Sequence, residues 1–245
     1  MMSIDRCIEV FAKGLAFTRS FTKPCIASEI EGAWWLRDDP SLRVRQRNDE
    51  WITPFSIDAG ILDRLAREST KGGFTVSAVT TNAEEEVLLR ARFRKLGYRL
   101  WRTEPLMTRS TVKTPRIETI ANVRLVETNA IPSRRTNAQG GSTISGNLWK
   151  GSPVRCHVAM LHDQVAGWAR SISVNDSSWC DSMFVEPEFR RRGIGRALVV
   201  TMLRADRAAG LMASVLAARH TGAKLYSTVG YQTAGAVLVL TPAKR

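Results

Sequence analysis

The sequence contains no uninterrupted apolar run near the roughly 18 residues that a membrane-spanning helix needs. Its opening stretch, MMSIDRCIEVFAKG, lacks the basic start, long apolar segment and small-residue cleavage site of a secretory signal. From these two absences we expect a cytoplasmic protein with no membrane partner. Cysteine is scarce. Cys7, Cys25, Cys156 and Cys180 are too scattered for a CxxC metal site and too few for a disulfide framework in 245 residues. They read as reduced, mostly packed thiols. His157, His162 and His220 show no ligand spacing, so no metal is expected. Helix-turn-helix, zinc-finger and aromatic ribonucleoprotein motifs are missing as well.

What the sequence does have is positive charge: Lys and Arg number 36 against 23 Asp and Glu, a formal net charge of +13. A basic chain favours anionic partners, whether nucleic acid, an acidic surface or a phosphorylated small molecule. Here the charge is spread along the chain and forms neither a tail nor a stripe, which argues against a specific nucleic-acid partner. A diffuse positive surface is also common where no polyanion binds, so charge alone decides nothing.

The length suits one large domain or two small ones. A polar seam, MTRSTVKTPRIETIAN at residues 107–122, separates two segments that each end in an apolar run. We therefore expect an N-terminal α/β domain at 1–110, a linker at 111–122 and a catalytic domain at 123–245. Before the seam, Glu84 to Lys95 read as a helix with Val87, Leu88, Ala91 and Leu96 near one face, stopped by Gly97. KLGYRLWRTEPLM before the seam and TVGYQTAGAVLVL at the end are weak internal echoes, pointing to two related halves.

In the second half, Val123 to Glu127 read as a strand. Residues 128–147 read as a polar segment with at most one short helix before a Gly/Ser-rich loop. PVRCHVAML and QVAGWARSISV read as a hairpin around His162 and Asp163, and SSWCDSMFV as the next strand. A helix is expected from about Ile194 to Ala209, followed by LMASVLAA as a buried strand, a short helix and a last strand. This order makes a mixed α/β sheet.

Between the third strand and the long helix lies EPEFRRRGIGRAL, the densest positive charge of the chain set against two glycines. Most helices start with a polar cap and an acidic first turn. Cations and flexible backbone there point to an anion. A Walker loop would need Gly-Lys-Ser/Thr where Gly195-Arg196-Ala197 stand. The dinucleotide fingerprint would need a third glycine or alanine where Leu198 stands. Arg190-x-x-Gly193-x-Gly195 instead resembles the R/Q-x-x-G-x-G/A signature of the GNAT superfamily of acyl-CoA-dependent N-acyltransferases. AKLYSTVGY resembles the tyrosine element of the same family, and the resemblance covers roughly residues 120–245.

The resemblance implies a GNAT-like, mostly antiparallel sheet flanked by helices, and acetyl-CoA as co-substrate. The amides of Arg191, Arg192, Gly193, Ile194, Gly195 and Arg196 would cradle the pyrophosphate at the helix N-terminus. Arg190, with Arg192 or Arg196, would add charge-assisted contacts, including to the 3′-phosphate. Phe184 and Val185 would offer backbone groups to the pantetheine arm as an added strand would, with Ala217 across the gap. His220 stands where the family often has an asparagine near the pantetheine, a departure that leaves its role between cofactor contact and helix cap.

For catalysis, Tyr226 falls on the family's general acid. Asp181 is the candidate base, with a plain Arg–Asp pair as the alternative and ordered water as a substitute. The N-terminal half shows no cradle; TKGGF, residues 70–74, lacks the flanking arginines and a following amphipathic helix. Its expected roles are support and one wall of the acceptor pocket, and the mixed aromatic and charged segment 34–51 is either a solvated loop or part of that wall. The expected reaction is N-acetylation of a small-molecule primary amine, with a non-catalytic acyl-CoA sensor as the alternative. The oligomeric state is open, a homodimer being compatible with everything above.

Overall fold

The computed structural model describes residues 2–42, 45–116, 123–128, 130–133, 143–147, 151–161 and 164–243. In chain order the elements are α1 (Ile4–Ser20), β1 (Cys25–Ile30), β2 (Ala33–Asp38), β3 (Asp49–Pro54), α2 (Ala59–Ser69), β4 (Phe74–Thr80), α3 (Ala83–Lys95) and β5 (Tyr98–Ser110). They continue as β6 (Val123–Thr128), β7 (Ala130–Ser133), β8 (Thr143–Asn147), β9 (Val154–Leu161), β10 (Gln164–Val174), β11 (Ser177–Val185), α4 (Ile194–Ala208), β12 (Ala213–Ala217), α5 (His220–Thr228) and β13 (Gln232–Pro242). The chain forms two compact units. The N-terminal unit holds Met2–Thr108, Ala217–His220 and Thr233–Arg245; the C-terminal unit holds Arg109–Leu216 and Thr221–Gln232.

In the N-terminal unit the strand order is β1-β2-β3-β4-β13-β5. Strands β1, β2 and β3 pair antiparallel, β4 runs parallel to β3, and β13 is antiparallel to β4. Trp51, Leu62, Phe74, Val76, Leu89, Phe93, Tyr98 and Leu238 form one buried cluster. Burying each such large side chain is worth about 1.5–3 kcal/mol. Residues 34–51 supply β2 and the start of β3, where Trp51 is fully buried and stacks on Trp35 at 5.3 Å.

In the C-terminal unit the order is β12-β11-β10-β9-β6. β9, β10 and β11 are antiparallel neighbours, in line with the reading of a hairpin and a following strand, and β12 lies parallel to β11. Helix α4 packs on these strands through Ile194, Leu198, Met202 and Leu203. Its one buried carboxylate, Asp206, is pinned from three strands: by Arg155 Nε of β9 at 2.9 Å, Ser171 Oγ of β10 at 2.6 Å and Ser178 Oγ of β11 at 2.6 Å.

The two halves of the chain repeat one plan. Three antiparallel strands lead to a helix, a parallel strand, a second helix and a last strand: β1-β2-β3-α2-β4-α3-β5, then β9-β10-β11-α4-β12-α5-β13. The echo in the sequence marks this repeat, since Gly97 after α3 and Gly230 after α5 both take left-handed φ, 82° and 87°.

Three features differ from the sequence reading. Thr233–Arg245 lies in the N-terminal unit, because Ala236–Leu240 of β13 pairs with Val76–Thr80 of β4. Helix α3 is present, but it buries Leu89 and Phe93, while Val87 and Leu88 are 67% and 50% exposed. Where at most one short helix was expected, β7 and β8 form an antiparallel pair. The Gly/Ser-rich stretch between them, and the expected turn at His162 and Asp163, lie outside the described residues.

Candidate active site

The site begins where two parallel strands part. β12 pairs with β11 only through Ser177–Trp179 against Ala213–Val215, while β11 runs on to Val185. A bulge starts the divergence: Ser171 of β10 faces Cys180 but Arg170 faces Ser182, so Asp181 is the extra residue, and such a residue bends and twists its strand. Further along, Gly167 of β10 faces Val185, and a Cβ at residue 167 would lie 2.5 Å from Phe184 O. The bare glycine lets β11 press against β10 there. A glycine inside a strand often marks such an approach, and it was the one signal in the sequence that could have placed Gly167 at the site.

After β11 the chain makes a 3-10 turn at Pro187–Phe189 and enters the arginine loop. Arg191 and Gly193 are both left-handed, with φ of 63° and 81°. Non-glycine residues in that region are uncommon and concentrate at functional sites, and left-handed turns of this kind form concave nests of amides. Gly193 is the N-cap of α4 and makes no side-chain capping bond. The first intrahelical bond is Ala197 N to Gly193 O at 3.0 Å, and the first N–H groups of a helix have no intrahelical acceptor. The positive end of the helix dipole lies there too.

In front of this terminus is a cleft of about 660 Å³, built from the ends of β11, α4 and α5. Of the expected residues it gathers Phe184, Val185, Arg190, Arg191, Gly193, Ile194, Gly195 and Arg196. Met183, Phe189, Thr221, Lys224 and Leu225 line it as well, and only their neighbourhood to the motif could have suggested them. Among the described residues its charged lining consists of Arg190, Arg191, Arg196 and Lys224, with no carboxylate. Arg190 stands 5.7 Å over the Phe184 ring and donates from Nε to Val185 O at 3.0 Å. Arg192 is exposed in the same loop, over the Phe189 ring.

The catalytic candidates sit differently. Asp181 is ion-paired with Arg170 at 2.5 Å, its side chain 3% exposed. Tyr226 is buried, edge-on to Tyr231 at 5.5 Å, and its hydroxyl donates to Cys180. Burial and the neighbouring Cys180 push that hydroxyl well above the ordinary phenol range, and burial also pushes the Cys180 thiol up. Tyr226 is not part of the cleft lining; Gly222 and Leu225 of the same helix are. Ala217 ends β12, and His220 opens α5 as an exposed residue; both fall in the N-terminal unit. Among the described residues no cluster of His, Cys, Asp and Glu could hold a metal, and no helix is long and apolar enough to cross a membrane.

The matching place in the N-terminal unit is built in the opposite sense. Asp58 caps α2 and accepts from Gly60 N at 2.8 Å and Ile61 N at 3.1 Å. β3 and β4 stay paired along all of β3, from Asp49–Phe74 to Pro54–Val79.

Comparisons with known proteins agree with this picture. Residues 152–233 match the family model of the acetyltransferase (GNAT) domain. A GCN5-related N-acetyltransferase from Kribbella flavida superposes with a TM-score of 0.67 at 14% identity, covering 100% of this chain and 98% of its own. A second one, from Sphaerobacter thermophilus, gives 0.56 at 16% identity and covers 87% and 78%. A tandem GNAT protein from the clavulanic acid biosynthesis pathway gives 0.50 at 12% identity and covers 99% and 98%. No curated protein matches the sequence significantly. Residues 152–233 thus match a GNAT acetyltransferase domain, and the first half of the chain has a GNAT-like fold. The family in general uses acetyl-CoA as co-substrate.

Proposed function

We propose that the C-terminal unit transfers the acetyl group of acetyl-CoA to a primary amine of a small molecule, by direct attack in a ternary complex. The observation that carries this reading is the uncapped, glycine-lined N-terminus of α4, facing a cationic cleft beside strands that have parted. The amides of Arg191 to Arg196 receive the pyrophosphate, the nearby arginines take the remaining phosphate charge, and β11 at Phe184 and Val185 pairs with the pantetheine arm.

In the transfer the amine nitrogen attacks the thioester carbonyl, the N–C bond forms and the C–S bond breaks. The amine proton leaves to Asp181 or to water, and the departing thiolate takes its proton from Tyr226, which releases Cys180 to do so. Thiol release from acetyl-CoA against a panel of primary amines tests the proposal. Amine-dependent turnover is expected, and Tyr226→Phe should lower kcat about 100-fold with acetyl-CoA affinity unchanged. Tight acetyl-CoA binding with no amine-dependent release would favour the second reading, a non-catalytic acyl-CoA sensor, which the burial of Tyr226 away from the cleft supports.

A further inference from the structure

Helix α3 exposes apolar side chains that its own unit does not cover. Only Leu89 and Phe93 are buried, yet Val87 is 67% and Leu88 50% exposed, and Ala91 is exposed beside them. On a helix, residues three and four apart share a face, so Glu84, Leu88, Ala91 and Lys95 form one line along the exposed side, with Val87 flanking it. That line is acidic at its N-terminal end, apolar in the middle and basic at its C-terminal end. Glu84, Glu85 and Glu86 fill the first turn, and Arg92, Arg94 and Lys95 fill the last.

Such a stripe is complementary to itself when turned end for end. In an antiparallel pair of α3 helices about a two-fold axis, Glu84 lies opposite the partner's Lys95 and Leu88 opposite the partner's Ala91. A two-fold interface requires this reciprocity, and the opposed helix dipoles add to it. We propose that α3 is a homodimer contact and that its partner is a second copy of this chain. The polar ends exclude a membrane surface, which would meet three carboxylates at one end. A 13-residue helix spans about 20 Å, so the contact is small beside the ~800 Å² per partner of a standard interface, and the dimer is a weak one that forms in the micromolar range.

The test is sedimentation velocity on the full chain over a concentration series from micromolar to hundreds of micromolar. A monomer–dimer equilibrium is expected. Glu84→Lys and Lys95→Glu should each weaken it about tenfold, because each reversal sets like charges opposite one another at both symmetric positions. The double variant, which restores opposite charges, should return to within about threefold of wild type. Leu88→Asp should abolish the dimer, and circular dichroism checks that these surface variants stay folded. A chain that remains monomeric throughout, or a dimer whose affinity ignores all four variants, overturns the proposal.

Discussion

The two units place a helix after a strand at equivalent points of the same plan, and they finish that junction in opposite ways. In the N-terminal unit, Asp58 gives its own carboxylate to the first amides of α2, and β3 and β4 are zipped together to Pro54. In the C-terminal unit, Gly193 offers no side chain to α4, and β11 and β12 separate after Trp179. A capped helix beside a closed sheet has neither an amide nor a strand edge to spare for a ligand. An uncapped helix beside an open one has both. The proposed ligand site therefore rests on leaving backbone groups unsatisfied, at a cost of only about a few tenths of a kcal/mol for glycine in place of a capping side chain.

The largest expected effect comes from removing what holds α4 against its sheet. Asp206→Ala leaves the Arg155 guanidinium, 15% exposed, without its carboxylate. Losing one partner of a buried pair costs about 3–5 kcal/mol, to be read from urea unfolding. A loss below about 1 kcal/mol would show that the open junction does not depend on this anchor.

The units should also differ in their response to pH. His157, in the C-terminal unit, is 1% exposed, and among the described residues neither ring nitrogen has a hydrogen-bond partner. The charged groups that act on it are Glu127 of β6, Arg155 of β9 and Asp206 of α4. Burial depresses its pKa from 6.5. The unfolded chain then binds more protons, so this contribution to stability is present above pH 6.5 and falls away below it, by at most about 1.4 kcal/mol per pH unit. Glu50, in the N-terminal unit, is shifted upward from 4.5 by burial, against a hydrogen bond from Ser77. Its contribution has the opposite sign, complete below pH 4.5 and lost as pH rises through the folded pKa. Unfolding series at stepped pH should show a flatter acid limb in His157→Gln and a smaller loss on raising pH from 4.5 in Glu50→Gln. Unchanged slopes in both variants would contradict the contrast.

The smallest effect sharpens the comparison most. Asp58→Ala should cost about 1 kcal/mol in thermal or urea unfolding and should create no acetyl-CoA site, because β3 and β4 remain paired. Gain of binding in that variant would mean that the cap alone had closed the N-terminal junction.

What could be read from the sequence followed from how local each feature is. Arg190-x-x-Gly193-x-Gly195, the helix after it and the strand before it lie within a few turns of chain, and the structure keeps them together in the cleft. The destination of β13 was hidden because its pairing with β4 joins residues far apart in sequence. Helix α3 carries two competing stripes, Leu89 with Phe93 and Val87 with Leu88 and Ala91. Spacing alone cannot say which one meets a core. The setting of Asp181 depends on a bulge and on Arg170 of the neighbouring strand, and neither leaves a local trace. Tyr226 falls on a family element, but its contact with Cys180 is set by tertiary packing.

In the proposed function one anion cradle, at the N-terminus of α4, serves the whole chain. Isothermal titration of acetyl-CoA into the wild type and into Gly195→Asp tests it most directly. A Cβ at residue 195 would already lie 3.2 Å from Leu225 Cδ2, and a carboxylate there repels the pyrophosphate. One micromolar site per chain is expected, weakened at least about 100-fold in the variant. Two sites per chain, or binding that survives Gly195→Asp, would contradict it.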